Sequence, residues 1–474
     1  MLLYYFIFSL LISLSILFFK KKKLSNSLII VFLLGQIAIT LFAYQNINQT
    51  DSAFFKFDAL GILFTMILSI LSIASFYYSR FYLDYKDSSI KNESYYYSLF
   101  ILFIVAMTAA NFAQNMAILW VFVETTTLLV AGLVYFDRSK IAIEASWKYL
   151  FIGSIGIAIA FIGILFISVV DIKNGVMALN FDELIQHTKQ LNPLWVKISF
   201  LFILTGFSVK LSSVPLFPAS IDAKTVAPGP VNALMSTALI NVGFITIFRF
   251  FVVFSHTDSF LWVRNVILIA AISSLIFSAI QLFKVKRYTR LYAFSSMEHV
   301  SLVLLGLYTG GIAYYAAILH LIFHSFIKAG LFYQITGIKQ TYHSVWFKDS
   351  GNYFRIRPID ALVVLLGLIL ITAIPPSGLF FTELTIFKGL FLSNNIFIAI
   401  LSLLLLTIII YIIAKKIMHL LYGVQPKTYK ETTNTSNKYA FIPVLILFAL
   451  TIFIGIHPPH FISELINSSI VLLK

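Results

Sequence analysis

The 474-residue chain contains no cysteine. Cysteine-ligated iron–sulfur clusters and disulfides are thereby excluded from it, so electrons handled nearby must travel through other chains. Charge is scarce as well. Asp, Glu, Lys and Arg make up 11% of the residues, against about 25% in a soluble domain. With 60% hydrophobic residues and a mean hydropathy of +0.94, the composition is that of a polytopic membrane protein. Nothing resembles a phosphate loop, a nucleotide fold or a nucleophile with its base, which argues against ATP-driven chemistry within this chain. Long polar segments are missing too. The longest, about residues 81–94, 171–194 and 339–358, have the length of connections and leave no second folded domain.

What the chain does have is apolar length. About fourteen stretches of roughly 18 or more residues are each long enough to span a bilayer. They begin near Leu2, Ser27, Ala59, Tyr95, Met116, Trp147, Trp195, Gly229, Phe260, Leu291, Gly311, Ile359, Asn395 and Ala440. The first lacks a basic leader and a small-residue cleavage site, so it reads as a retained helix. The formal net charge of +15 is a topology signal, because the basic residues gather in alternate loops. Threading the spans with the N-terminus outside places Lys20–Lys23, Arg80, Lys86, Lys91, Arg138, Lys140, Lys224, Lys284, Lys286, Arg287 and Arg290 inside. Lys339, Lys348, Arg355, Arg357, Lys427, Lys430 and Lys438 join them. The opposite loops hold only Lys56, Lys173, Lys189, Lys197, Arg264 and Lys474. By the positive-inside rule both termini are expected outside the cytoplasm, and nucleic acid drops out as a partner.

Several apolar runs carry ionisable residues: Glu124, Lys148, Lys210, Glu298-His299, His320, His324, Lys328 and Glu383. A charge at the centre of a spanning helix costs at least about 2.5–3.5 kcal/mol, so such residues are usually functional. Spread over several helices, they suggest a relay for protons or small ions. Glu124 sits amid apolar and hydroxyl neighbours, where a partner can switch its proton. Lys148 is read as the positive partner that biases Glu124 toward its ionised form. Lys210 lies deeper, in the place of a carrier that loads and releases. His320, His324 and Lys328 fall at i, i+4 and i+8 on one helix face, and Glu298-His299 is positioned to connect to it. No H-E-x-x-H pattern and no cysteine accompany the histidines, so no metal is expected.

Two spans are broken, at Lys210-Leu-Ser-Ser-Val-Pro215-Leu-Phe-Pro218 and at Ala373-Ile-Pro375-Pro376-Ser-Gly378. Proline removes a donor and clashes with the preceding turn. Backbone opened at membrane depth is tolerated only inside protein or along a wet cavity. Interrupted spans at corresponding places in two halves point to an inverted-repeat transporter. Each break here lies close to an ionisable residue, Lys210 or Glu383. Glu383 is the expected terminal carboxylate, fed from His324 and Lys328.

These residues resemble a known family. Trp120-Val-Phe-Val-Glu124-Thr-Thr-Thr-Leu, the Lys210 span leading to Ala227-Pro-Gly-Pro-Val-Asn-Ala-Leu, and Arg290-Leu-Tyr-Ala-Phe-Ser-Ser-Met-Glu-His look like the proton-translocating, antiporter-like subunits of complex I and its relatives. So do the His320–Lys328 stretch and Pro375-Pro-Ser-Gly-Leu-Phe-Phe-Thr-Glu383. Glu144-Ala-Ser-Trp-Lys-Tyr-Leu, Ser295-Ser-Met-Glu-His and Asn241 are similar to the hydrogenase-4 component F branch of group 4 hydrogenase and formate hydrogenlyase complexes. The resemblance implies an all-α fold of fourteen helices with two inverted five-helix repeats. The expected divisions are residues 1–94 (three N-terminal helices), 95–256 and 257–424 (the two repeats) and 425–474 (a C-terminal helix).

The same resemblance implies a bacterial inner-membrane location and a proton-translocating role coupled to redox chemistry in partner subunits. Those partners are the membrane and peripheral subunits of a hydrogenase or complex I-like assembly. They would carry the iron–sulfur and nickel–iron centres, with no cofactor and no catalytic residue in this chain. An antiporter subunit, or a membrane subunit of inorganic-carbon uptake, is the other activity the family contains. Glu124 and Lys210 would form one half-channel and Glu383 would end the other. The chain departs from the pattern at Pro215–Lys224, which lacks the usual His and Trp-Leu-Pro, and at Asn241, where many complex I subunits have lysine.

Overall fold

The computed structural model describes residues 1–86, 88–171, 176–426, 429 and 440–473. Lys173, Lys427, Lys430, Lys438 and Lys474, counted above among loop cations, lie outside the described residues. The chain is overwhelmingly helical. A short antiparallel ribbon, Val169–Asp171 with Val176–Met177, is a small addition to the all-α expectation. Among the described residues twelve helices are long and apolar enough to cross a bilayer, or thirteen if Ile442–Ile456 and His460–Ile470 form one span. The stretch beginning near Ile359 accounts for a difference from fourteen. It folds as two helices, Pro358–Ile371 and Gly378–Leu392, of 14 and 15 residues. At 1.5 Å per residue each is about 21–23 Å long, short of a bilayer core of about 30 Å.

Helix starts follow local chemistry. Asp58, Ser89, Asn115, Ser139, Asn192 and Ser377 each accept a hydrogen bond from a backbone N–H of the helix that follows, satisfying donors that have no intrahelical partner. Outward faces are apolar, with Leu261, Ile269 and Phe397 largely exposed. Ionisable groups are turned inward, the arrangement a lipid environment selects.

The chain packs as two compact units. One comprises Met1–Ala223, Ala238–Val266 and Phe461–Lys474; the other comprises Lys224–Thr237 and Ile267–His460. In the first unit the helix Pro193–Leu211 stops at Ser212, whose φ of 60° lies in the left-handed region, and helix resumes at Phe217–Val226. In the second, Pro358–Ile371 stops before Ala373 (φ 54°) and helix resumes at Gly378. A non-glycine residue at positive φ is strained, and each break carries one. Serine repairs the backbone at both. Ser208 Oγ accepts from Leu216 N at 3.2 Å, while Ser377 Oγ donates to Leu370 O at 2.7 Å and accepts from Leu379 N at 3.2 Å.

Two further devices hold the first unit in register. Arg249 directs its guanidinium at Asp58 Oδ2 (2.8 Å from Nη2) and at the carbonyls of Ala110 (3.1 Å) and Ala113 (2.9 Å). It thus satisfies the open C-terminal end of the helix Ile90–Phe112 and the carboxylate that caps Ala59–Tyr85. The second device is a close crossing of the helices Lys140–Ser168 and Pro193–Leu211. A Cβ on Gly206 would lie 2.3 Å from Gly156 O, an impossible contact, so only glycine permits this approach. Gly206→Val is expected to force the two helices apart and lower the yield of assembled protein several-fold, read by detergent size exclusion. Gly132→Val, whose nearest neighbour is a flexible Leu99 methyl at 3.2 Å, should cost much less.

Candidate functional site

The close crossing at Gly206 sets Lys210, one turn further along its helix, beside Tyr149 and Thr127. Lys210 is buried. Its Nζ donates to Thr127 Oγ1 at 2.7 Å and to Tyr149 OH at 3.3 Å, and stands 5.3 Å from the Tyr149 ring centroid. Thr127 in turn donates to Glu124 Oε2 at 3.1 Å, and Ser154 donates to Glu124 Oε1 at 2.5 Å. Glu124 and Lys210 are therefore joined through one hydroxyl, with every donor pointing from the lysine toward the carboxylate. Glu124 itself is half-buried, which leaves it an outlet that Lys210 lacks. Lys148 stands nearer the end of its helix. Its ammonium pairs with Glu144 on the same helix, and about half of its side chain is exposed.

The second unit gathers a larger set. Glu298 and His299 lie on the helix Tyr288–Thr309; His320, His324 and Lys328 on Ile312–Tyr342; Thr382 and Glu383 on Gly378–Leu392. Apart from half-buried Glu383, all are at most 4% exposed. Thr382 Oγ1 donates to Leu379 O at 2.9 Å, so it must accept from His320 Nδ1, also at 2.9 Å. A neutral His320 then has its lone pair on Nε2, facing His299 Nδ1 at 3.2 Å. His299 Nδ1 is the donor there, which leaves its own lone pair on Nε2, 3.4 Å from Glu298 Oε2. These tautomers follow from the hydrogen-bonding roles of the neighbours. The set is a directed chain of hydrogen bonds, Thr382–His320–His299, with the Glu298 carboxylate 3.4 Å beyond its end. His324 stacks 5.5 Å from His299 by ring centroids, and neither of its ring nitrogens has a hydrogen-bond partner among the described residues. Lys328 donates to Tyr292 O at 2.9 Å and lies 5.6 Å from that ring. Each unit thus holds a buried lysine against a buried tyrosine ring.

Glu383 joins the two histidines of the neighbouring helices. Its carboxylate lies within 4.8 Å of a nitrogen of His299 and of His320. Those three residues form the one group among the described residues whose donor atoms converge closely enough to hold a metal ion.

Lys224 corrects the loop assignment. Counted above as a cytoplasmic loop cation, it is fully buried. Asn232 Nδ2 donates to its carbonyl, and a Cβ on Gly229 would lie 2.2 Å from Thr336 Oγ1. These contacts pin the segment against the His324 helix, within electrostatic reach of His324 and Lys328. The sequence reasoning missed it because a polar segment bounded by prolines reads as a loop. Thr127, Tyr149, Ser154 and Thr382 were missed for another reason: hydroxyls are common in spanning helices. The Thr125-Thr-Thr127 run at the helical spacing from Glu124 was the one available signal.

The fold has close counterparts among solved structures. It matches a chain of the membrane-bound sulfane sulfur reductase, an archaeal respiratory membrane complex, with TM-score 0.86 at 20% identity over 100% of this chain and 97% of the other. It matches a chain of the Mrp complex from Dietzia sp. with TM-score 0.84 at 17% identity over 100% and 96%. In sequence it is 27% identical to a hydrogenase-4 component F homolog of Methylacidiphilum infernorum over 90% of both chains. It is 24% identical to an NADH-quinone oxidoreductase subunit of Rhizobium meliloti over 91% of this chain and 88% of that one. Identity to a Na(+)/H(+) antiporter subunit of Alkalihalophilus pseudofirmus is also 24%, over 92% and 88%. Residues 113–409, which contain Glu124, Lys210, Lys224, Glu298, His299, His320, His324, Lys328 and Glu383, match the transmembrane family of NADH:quinone oxidoreductase and Mrp antiporter subunits, and the chain belongs to that family.

Proposed function

We propose that this chain translocates protons as the antiporter-type membrane subunit of a multisubunit hydrogenase or complex I-like assembly. The observation that carries the reading is the pair of directed hydrogen-bond chains, Lys210–Thr127–Glu124 in one unit and Thr382–His320–His299 in the other, the second with the Glu298 carboxylate 3.4 Å from His299 Nε2. In the first, Lys210 passes a proton to the Thr127 oxygen as Thr127 passes its own to Glu124. The products are a neutral lysine and a protonated carboxylate, so no net charge is created at membrane depth. In the second, Glu298 and His299 exchange one proton between a neutral pair and an ion pair. Lys328 borders that chain and biases the exchange, Lys224 acts on it through Lys328, and Glu383 is its outlet.

The family likeness supports a finer reading. Fourteen helices in two inverted five-helix repeats, about residues 95–256 and 257–424, would lie in the bacterial inner membrane with both termini outside. Redox centres of the iron–sulfur and nickel–iron kind would reside in partner subunits, since this chain has no cysteine to hold them. The hydrogenase-4 relative covers 90% of each chain, which favours a hydrogenase-type assembly. The test is to purify the native complex from membranes, identify its subunits and reconstitute it in vesicles with a pH-sensitive dye. Redox turnover is expected to acidify one side, and a protonophore should abolish the signal. Turnover without proton movement would refute the reading.

A further inference from the structure

The wire in the second unit has the geometry of a ligand set. His299 Nδ1 and His320 Nε2 are 3.2 Å apart. Two nitrogens each about 2.0–2.1 Å from a common zinc ion subtend about 100° at that separation, close to the tetrahedral angle. The Glu383 carboxylate, within 4.8 Å of both imidazoles and half-buried, supplies a third ligand and faces the more open side. The outer contacts are those that orient metal-bound histidines. His320 already donates its other nitrogen to Thr382 at 2.9 Å. His299 Nε2 makes no hydrogen bond among the described residues, and the Glu298 carboxylate stands 3.4 Å from it. Two carboxylates, Glu298 and Glu383, lie within electrostatic reach of each other and together neutralise a divalent charge.

We propose that His299, His320 and Glu383 form a site for one zinc-class divalent cation, and that its binding closes the proton chain of this unit. The exchange balances. The metal takes the lone pairs of His299 Nδ1 and His320 Nε2. The proton leaving His299 Nδ1 goes to solvent, and Glu298 hands its proton to His299 Nε2, becoming the carboxylate of a carboxylate–histidine–metal triad. With Glu383 starting as the carboxylate, one proton is released per cation bound, and the nitrogens that passed protons are occupied. Nitrogen donors select zinc, cobalt or copper over magnesium and calcium, which take oxygen ligands.

The metal-binding arm stands without the proton-conduction reading; the inhibition arm rests on it. The native complex, stripped with chelator, is titrated with zinc, with cobalt as a spectroscopic probe and magnesium as control. One zinc per chain is expected, with imidazole nitrogens at about 2.0–2.1 Å by X-ray absorption and one proton released in buffers of different ionisation enthalpy. His320→Gln and Glu383→Gln should each weaken it by at least the roughly 10–100-fold that loss of an outer partner costs. Zinc should also halt dye-reported proton uptake. Absence of stoichiometric zinc at free concentrations where exposed sites fill would overturn the proposal. So would an affinity unchanged by Glu383→Gln, a volume-neutral change at a half-buried position that decides the matter if His320→Gln fails to assemble. A native complex that binds zinc yet moves no protons before zinc is added would sink the proton reading alone.

Discussion

Lys210→Met is expected to stop proton transfer through the first unit while the protein still assembles. Methionine fills a similar buried volume without a charge to solvate, and Lys210 lies against the Tyr149 ring in a buried pocket that an apolar chain also suits. What disappears is the donor to Thr127 Oγ1 at 2.7 Å. Removing a positioned acid–base group costs on the order of 10²-fold or more in the step it serves, so vesicle proton uptake should fall to near background. Lys210→Arg is a useful contrast: it keeps the charge but holds its proton too tightly to release it, and should be nearly as inactive. Thr127→Val tests the bridge. It preserves the branched shape and deletes only the hydroxyl that links lysine to carboxylate. Uptake should drop for valine and largely persist for Thr127→Ser. Wild-type uptake by both Lys210→Met and Thr127→Val, in a complex of normal subunit composition, would leave this chain of bonds a packing feature.

The contrast between Lys210 and Lys148 shows what a sequence tells about such a site. Both are lysines in apolar runs, and period and hydropathy rank them similarly. Lys210 comes after most of a helix that began at Pro193, so its depth was legible. Lys148 stands two turns into Lys140–Ser168, close enough to the end to pair with Glu144 with about half of its side chain exposed. Depth along the helix was countable; rotation about its axis was not, because it depends on which neighbour the small residues admit. Gly156 and Gly206 settle that rotation through a backbone approach that only the folded pair reveals. The second unit repeats the lesson. The histidine face at i, i+4 and i+8 was readable from spacing. The convergence of Glu383 with His299 and His320 depends on how three helices cross after the Pro375-Pro376 break, which spacing does not give. Lys224 was illegible for a related reason: proline on both sides marks a turn, and whether the turn lies in water or in protein is a tertiary fact.

Glu298→Gln is expected to separate packing from proton transfer in the second unit. The His320–His299 tautomers leave an acceptor at His299 Nε2, 3.4 Å from the Glu298 side chain. A protonated carboxyl meets that acceptor with its O–H, and a glutamine amide meets it equally well with N–H. The change is volume-neutral and buries no new charge, so stability and subunit composition should match the native complex. The amide cannot then deliver its proton and become an anion, and the exchange that turns a neutral pair into an ion pair is lost. Proton uptake coupled to redox turnover should fall on the order of 10²-fold, with turnover either stalled or uncoupled. Glu298→Ala removes the donor as well. It leaves a cavity at a buried position, so it should lower thermal stability in addition to abolishing uptake. The pattern that decides is the pair: a glutamine variant as stable as wild type but silent in the dye assay, and an alanine variant both silent and less stable. A glutamine variant that pumps normally would remove Glu298 from the wire, and His299 would end it without a carboxylate to receive the proton.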